Sequence, residues 1–201
     1  VKNATVPVIE TGAGICHLYV DKDADLNKAL TIAVNAKIQR PSVCNAIETI
    51  LVHKDVADTF LPELKKAFEK VEIKGDDATC QIINCEHVTD DSYATEYDDY
   101  IVNIRVVDSV EEAINHIYTY STKHSESIIT ENDETAVLFM NSLDSACVYH
   151  NASTRFSDGG EFGFGAELGI STQKLHARGP LGLKEMCSYQ YKIEGNGQIR
   201  E

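Results

Sequence analysis

The sequence predicts an α/β protein: a mainly parallel sheet with flanking helices. Short apolar runs alternate along the chain with amphipathic stretches of roughly ten to fifteen residues, the pattern of repeated βαβ units. Capping residues stand at the starts of several of those stretches. With 201 residues, 43% of them hydrophobic and 25% charged, the chain is also long enough to bury a substantial core.

Taken in order, Val6–Ile9 reads as a strand running into Glu10-Thr11-Gly12-Ala13-Gly14, a glycine-lined turn that carries a carboxylate. Ile15–Val20 is a second strand. Asp23 and Asp25 cap a helix whose apolar positions Leu26, Ala29, Leu30, Ala33 and Ala36 follow helical spacing. Pro41 biases Arg40 away from helical geometry, so a sharp connection belongs there. Asn45-Ala46-Ile47-Glu48 then reads as the first turn of a new helix, with Cys44 at its start. Thr49–His53 is a strand, and Asp55 caps a helix carrying Val56, Phe60, Leu64 and Phe68, with Pro62 inside it. Val71–Ile73 is a strand, whereas residues 76–99 show no regular pattern.

Ile101–Val107 is again strand-like, and Ser109-Val110-Glu111-Glu112 is a capping box opening a helix to Tyr120. Ser127–Thr130 and Ala146–His150 read as strands on either side of a helix capped by Asp133 and carrying Val137, Leu138 and Met140. Cys187–Ile193 alternates enough to be a last strand before a Gly195-Asn196-Gly197 turn. Ligands of parallel sheets gather at the carboxyl ends of strands, which directs attention to Glu10-Thr11-Gly12 and to the segment from Asn151 onward.

A net charge of −14 argues against a nucleic-acid partner, which needs a basic face. No apolar run reaches membrane-spanning length, so no membrane partner is expected. Six cysteines without a secretory signal read as reduced thiols of a cytoplasmic protein. Cys80-x4-Cys85 with His87 nearby has metal-like spacing but lacks the second pair of a structural zinc site, so no metal is expected. The opening Val1-Lys2-Asn3, without Met, suggests a piece of a longer chain.

The chemistry concentrates at two places. A thiol at a helix start would meet unpaired N–H groups and the positive end of the macrodipole, both of which favour the thiolate. Arg40, folded back, would add to this; the competing reading of Cys44 is a buried structural cysteine. The segment from Asn151 to Glu167 is dense in glycine and hydroxyls and contains Arg155, which could clamp a carboxylate or phosphate through two parallel hydrogen bonds. Its competing reading is a glycine-rich surface loop. Lys174, His176 and Arg178 form a second cationic group.

The spacing and context of Glu10-Thr11-Gly12-Ala13-Gly14 and Cys44 resemble the general-base glutamate and nucleophilic cysteine of the aldehyde dehydrogenase superfamily. Glu96, ahead of a strand and the Ser109 helix start, falls where that superfamily places a cofactor-ribose glutamate. Four longer segments narrow the resemblance to the gamma-glutamyl phosphate reductase family: residues 39–46 (Gln-Arg-Pro-Ser-Val-Cys-Asn-Ala), 151–156 (Asn-Ala-Ser-Thr-Arg-Phe), 162–167 (Phe-Gly-Phe-Gly-Ala-Glu) and 171–180.

That resemblance implies an aldehyde-dehydrogenase-like catalytic domain: residues 1–20 as the end of a preceding cofactor-binding domain, 21–180 as the thiol domain and 181–201 as an oligomerisation arm. It also implies NADPH as cofactor and reduction of L-glutamyl 5-phosphate to L-glutamate 5-semialdehyde and phosphate, through a thioester on Cys44, in proline biosynthesis. Glu10 would serve as base to Cys44 or shuttle a proton. Asn45, Asn151, Ser153, Arg155 and Gly163 would bind substrate. A C-terminal strand paired with a neighbouring subunit implies a homo-oligomer, and association with glutamate 5-kinase is a further implied partner. Residues 1–201 alone would not turn over NADPH. Two alternatives stand beside this reading. One is a nonphosphorylating aldehyde dehydrogenase, against which the missing Phe-Gly-Pro after Glu96 counts. The other is a non-catalytic folding or oligomerisation module.

Overall fold

The computed structural model describes residues 1–175 and 177–201. Its centre is a seven-stranded sheet, and the order of strands follows from how completely each is covered. Strands β1 (Cys16–Val20) and β2 (Ile47–His53) are buried along their whole length, as strands with helices on both faces must be. β5 (Ile101–Val107) pairs parallel with β2, and β6 (Ser125–Ile129) pairs parallel with the other side of β1. β3 (Glu72–Gly75) and the two-residue β4 (Glu86–His87) form one edge, and β7 (Cys147–His150) the other, giving the order β4-β3-β5-β2-β1-β6-β7.

Alternation along the strands assigns side chains to two cores. Leu18, Val20, Ile50, Val52 and Ile104 face helices α1 (Leu26–Ile38) and α2 (Lys54–Ala67), where Ala29, Ala33, Phe60, Leu61 and Leu64 complete one cluster. Tyr19, Leu51 and Ile128 face the opposite way, against Ala113, Ile114 and Ile117 of α5 (Val110–Tyr120) and Phe139 of α6 (Asp133–Ser142). Asp25 caps α1 through the N–H groups of Asn27 and Lys28, and Ser109 caps α5 through that of Glu112. The caps of α2 and α6 are His53 and Asn132, each just ahead of the aspartate expected from sequence.

Several expected elements are replaced. Asn45–Glu48 does not start a helix: Cys44 lies in a turn, and Ile47 and Glu48 already belong to β2. The β-branched run beyond them is claimed by ladders to β1 and β5 on its two sides, which outweigh a local helix start. Val6–Ile9 and Cys187–Ile193 are irregular, because neither finds a ladder partner among the described residues. In place of a final strand, β8 (Gly169–Ser171) and β9 (Gly179–Leu181) form a small antiparallel pair. Residues 76–99, patternless in sequence, hold α3 (Asp77–Ile83), β4 and α4 (Asp90–Tyr93), pieces too short to show a period. β1 lies inside the sheet between β2 and β6, so Cys16, Leu18 and Val20 share one core with α1, β2 and α2. No helix among the described residues is long and apolar enough to cross a membrane.

Candidate active site

The turn that carries Cys44 enters β2, so it lies at the amino end of the sheet rather than at the carboxyl end, where ligands of parallel sheets are expected. Three other chain segments converge there, each just ahead of its strand. Gly14, before β1, donates its N–H to Glu96 Oε1 at 2.7 Å, and Glu96 precedes β5. Ile15 N–H donates to Thr122 Oγ1 at 3.0 Å, ahead of β6. The Cys44 carbonyl accepts the Cys16 thiol proton at 3.2 Å. Gly14 is buried against the same peptide unit so closely that no side chain fits.

The fourth approach comes from the segment after β7. Asn151 has φ of 54°, and its side chain bonds the Thr130 N–H at 3.1 Å and the Thr130 carbonyl at 2.9 Å, beyond the carboxyl end of β6. From there the chain runs back along β6: Ser127 Oγ donates to Ala152 O at 2.7 Å, and Ser157 Oγ meets Ser125 Oγ at 2.6 Å. This return delivers residues 153–157 to the Cys44 turn. Thr154 Oγ1 donates to the Asn45 carbonyl at 2.6 Å, Asn45 Nδ2 donates to Ser157 O at 2.9 Å, and Arg155 donates from Nη1 to Asn45 Oδ1 and from Nε to Gln39 Oε1 at 2.8 Å. Ser153 is buried and caps the Arg155 N–H at 3.3 Å. Arg155 also lines a cavity of about 180 Å³ with Asn35, Gln39, Phe156, Asp158 and Glu161.

Burial raises the Cys44 pKa, the charges of Glu167 and Glu96 raise it further, and Arg155 works against them. The thiol is therefore held in its protonated form, the opposite of what a helix start would have done. Glu167, which ends the Phe162–Glu167 motif, was not singled out from sequence; its carboxylate accepts the Gly159 N–H at 2.8 Å, within the 158–168 loop. Also unforeseen is the pair Lys37–Glu48 behind the turn, 2.9 Å apart with both side chains out of contact with solvent.

Cys44, Asn45, Arg155 and Glu96 thus come together, with Ser153 beneath Arg155. Asn151 sits at the far end of β6, bonded to the Thr130 backbone. Glu10 is exposed, with its backbone N–H held by Gln173 Oε1 at 3.0 Å. Gly163 is exposed in the 158–168 loop at φ 77°, with no atom near enough to crowd an added Cβ. Lys174 and Arg178 are engaged by Asp144, with Arg178 Nη1 at 3.0 Å, and together they hold that carboxyl down at about 2. His176 lies outside the described residues. Glu96 is the chain's candidate for a cofactor contact. It is half-buried beside the thiol, with one oxygen committed to Gly14 and the carboxylate acceptor chemistry a ribose hydroxyl requires. No group of three or more side chains suited to a metal occurs among the described residues.

Residues 2–90 match the Aldehyde dehydrogenase family. Gamma-glutamyl phosphate reductase of Limosilactobacillus reuteri is 58% identical over 100% of this chain, which covers 49% of that protein. The enzyme of the same name from Petrotoga mobilis is 60% identical, with the same coverages. Among solved structures, gamma-glutamyl phosphate reductase from Thermotoga maritima superposes with a TM-score of 0.92 at 53% identity, over 100% of this chain and 49% of that one. The chain spans about half the length of these relatives. The same sheet and helices recur, at 13% identity and a TM-score of 0.71, in an acetylating aldehyde dehydrogenase from Geobacillus thermoglucosidasius, over 97% of this chain and 54% of that one. The chain belongs to the aldehyde dehydrogenase family, within its gamma-glutamyl phosphate reductase branch.

Proposed function

We propose that this chain carries the catalytic thiol of an NADP-dependent gamma-glutamyl phosphate reductase, which converts L-glutamyl 5-phosphate to L-glutamate 5-semialdehyde and phosphate in proline biosynthesis. The observation that carries the reading is the clamped Cys44 turn, with Glu96, Glu167 and Arg155 acting on its thiol, in a chain 58% identical to a protein of that name.

Attack by the Cys44 sulfur on the acyl carbon forms a C–S bond while the C–O bond to phosphate breaks, leaving a thioester and free phosphate. Because the thiol is held protonated, its proton must pass to a base. Glu10 is the acceptor implied by family resemblance, and its loop leads directly into Gly14 against the Cys44 backbone. Glu96 would hold a ribose hydroxyl of bound NADPH, which would supply the hydride that brings the acyl group to the aldehyde level. Asn45 and Arg155, already linked to each other, orient an anionic part of the substrate, with Ser153 keeping Arg155 in place. Asn151 contributes by fixing the return of the chain along β6, and Gly163 by letting the 158–168 loop turn at positive φ. Phosphate departs on thiol attack and the thioester is reduced rather than hydrolysed, so no residue has to activate a hydrolytic water.

In the whole protein the exposed Tyr189, Tyr191, Ile193 and Ile199 would be covered by a neighbouring subunit, giving a homo-oligomer. A cytoplasmic glutamate 5-kinase is the partner that would supply so labile an acyl phosphate. Residues 1–201 alone are expected not to turn over NADPH, since the cofactor contact proposed on them is Glu96.

The test uses the full-length protein and its Cys44→Ala variant, with glutamate 5-semialdehyde and NADP⁺, with and without phosphate. NADP⁺ reduction that needs both phosphate and Cys44 supports the acyl-phosphate reductase. Reduction without phosphate assigns the protein to the aldehyde-oxidising branch, and retention of activity without Cys44 removes the thiol mechanism.

A further inference from the structure

Cys80 and Cys85 take no part in the site above, yet the fold brings them together. Cys80 lies in α3, and Cys85 is the last residue before the edge strand β4. Their sulfurs are 2.7 Å apart, within about 0.7 Å of the bonded separation of a disulfide. Both thiols are half-buried, so a small reagent can reach them.

The backbone around the pair is held in this arrangement from several sides. Cys80 Sγ faces the carbonyls of Gly75 and Cys85 at 3.4 Å and of Glu86 at 3.5 Å. Gly75 makes the approach possible, because a Cβ there would lie 2.6 Å from Cys85 Sγ. The connecting turn passes through Asn84 at φ 45°, and Lys65 Nζ holds the Ile83 carbonyl and, at 2.9 Å, the Asn84 carbonyl. The Cys-x4-Cys spacing beside His87 is metal-like in sequence, but His87 Nδ1 is engaged by Asp77 at 3.2 Å. No third metal-suited group joins the two sulfurs among the described residues.

We propose that Cys80 and Cys85 are a dithiol site that closes to an internal disulfide by exchange with a low-molecular-weight disulfide of the glutathione type. The order of steps is set by the environment. Burial and the neighbouring sulfur push the Cys85 thiol up to about 12, which suits Cys85 to the second, intramolecular attack, where its partner sulfur is already 2.7 Å away. The Cys80 thiolate attacks one sulfur of the reagent, forming a mixed disulfide and expelling one small thiolate. Cys85 then gives its proton to solvent and attacks Cys80 Sγ, expelling the second. Two protein thiols are oxidised by two electrons in all, and one reagent disulfide is reduced to two thiols. The new bond anchors β4, a two-residue strand that pairs with β3 at Lys74–Glu86 and Gly75–His87, to α3 at the sheet edge.

The test equilibrates the full-length protein in mixtures of oxidised and reduced glutathione, quenches with acid, alkylates under denaturing conditions and digests for mass spectrometry. The expected result is a peptide containing both cysteines that has lost two hydrogens, its alkylation reduced at least about tenfold while Cys16 and Cys147 still alkylate fully. Hydrogen exchange at the Val88 amide, which bonds Gly75 O at 3.0 Å, should slow in the same samples. Cys80→Ser should return Cys85 to full alkylation or to a single glutathione adduct. Full alkylation of both residues in the most oxidising mixture, separate glutathione adducts on each, or pairing of either with another cysteine would overturn the proposal.

Discussion

Gly14 lies so close to Cys44 that a Cβ on it would sit 1.6 Å from the Cys44 carbonyl oxygen and 2.4 Å from its carbonyl carbon. Backbone atoms cannot swing aside as a side-chain tip can, and this carbonyl is also held by the Cys16 thiol. Gly14→Ala should therefore displace the whole turn, costing about 1–3 kcal/mol of stability, as overpacking of a filled site does. Activity of the full-length protein should fall far more than folding does. Urea unfolding combined with turnover measures both, and wild-type turnover in the Gly14→Ala protein would show that the turn tolerates movement.

The Cys44 thiol feels two carboxylates, Glu167 and Glu96, as well as burial. Removing either negative charge should lower the thiol pKa toward its ordinary value, because the thiolate is then less repelled. Glu96→Gln and Glu167→Gln should each make alkylation of Cys44 by iodoacetamide faster near neutral pH, by a factor on the order of three to thirty. The pH profile of the alkylation rate gives the pKa directly. Glu10→Gln serves as the comparison, since an exposed carboxylate in the preceding loop should leave that profile unchanged while slowing turnover if it is the base.

What could be read from the sequence, and what could not, divides along the range of the forces involved. β1, β2 and β5 were legible because strands inside a covered sheet are written as short runs rich in apolar and β-branched residues, and the Asp25 and Ser109 caps because a cap acts within three residues. The Cys44 turn was misread because Asn45–Glu48 suits a helix start locally, and only the ladders to β1 and β5 decide for a strand. The place of the site was misread for a related reason. The return of residues 151–157 along β6 is fixed by hydrogen bonds to Thr130, Ser127 and Ser125, which no periodicity announces. Glu167 acts on Cys44 only because its loop folds back, and Lys37 and Glu48 would each be taken from sequence for surface residues.

Lys37 and Glu48 form an ion pair with no solvent contact, so each charge depends on the other. Burial lowers the Lys37 pKa and raises that of Glu48, while each partner opposes the shift of the other. Lys37→Met should leave a buried carboxylate without its cation and cost about 3–5 kcal/mol, whereas Lys37→Met combined with Glu48→Leu should recover most of that loss. Denaturant titration of the single and double variants is the measurement. Equal losses in both would mean that the site tolerates a lone carboxylate.

His124 is buried beside Cys16 and Ser125, with Nδ1 2.9 Å from Ser125 Oγ, and burial brings its pKa down from 6.5 to about 4. The unfolded chain therefore binds a proton in this window that the folded one refuses. The contribution of His124 to stability is complete above about 6.5 and is lost as pH falls toward about 4. Glu48, raised by burial, acts in the opposite sense over part of the same range, so the overall slope of stability against pH does not isolate the histidine. The difference between wild type and His124→Gln does. Between about pH 4 and 6.5 the variant should lose up to about 1.4 kcal/mol of stability less per pH unit than wild type, one proton's worth, while above that range the two curves run parallel. Urea midpoints at half-unit steps of pH provide the comparison. Curves parallel throughout would mean that His124 protonates as readily in the folded protein as in the unfolded chain, and the acid sensitivity would then belong to His116, which burial holds down at about 2.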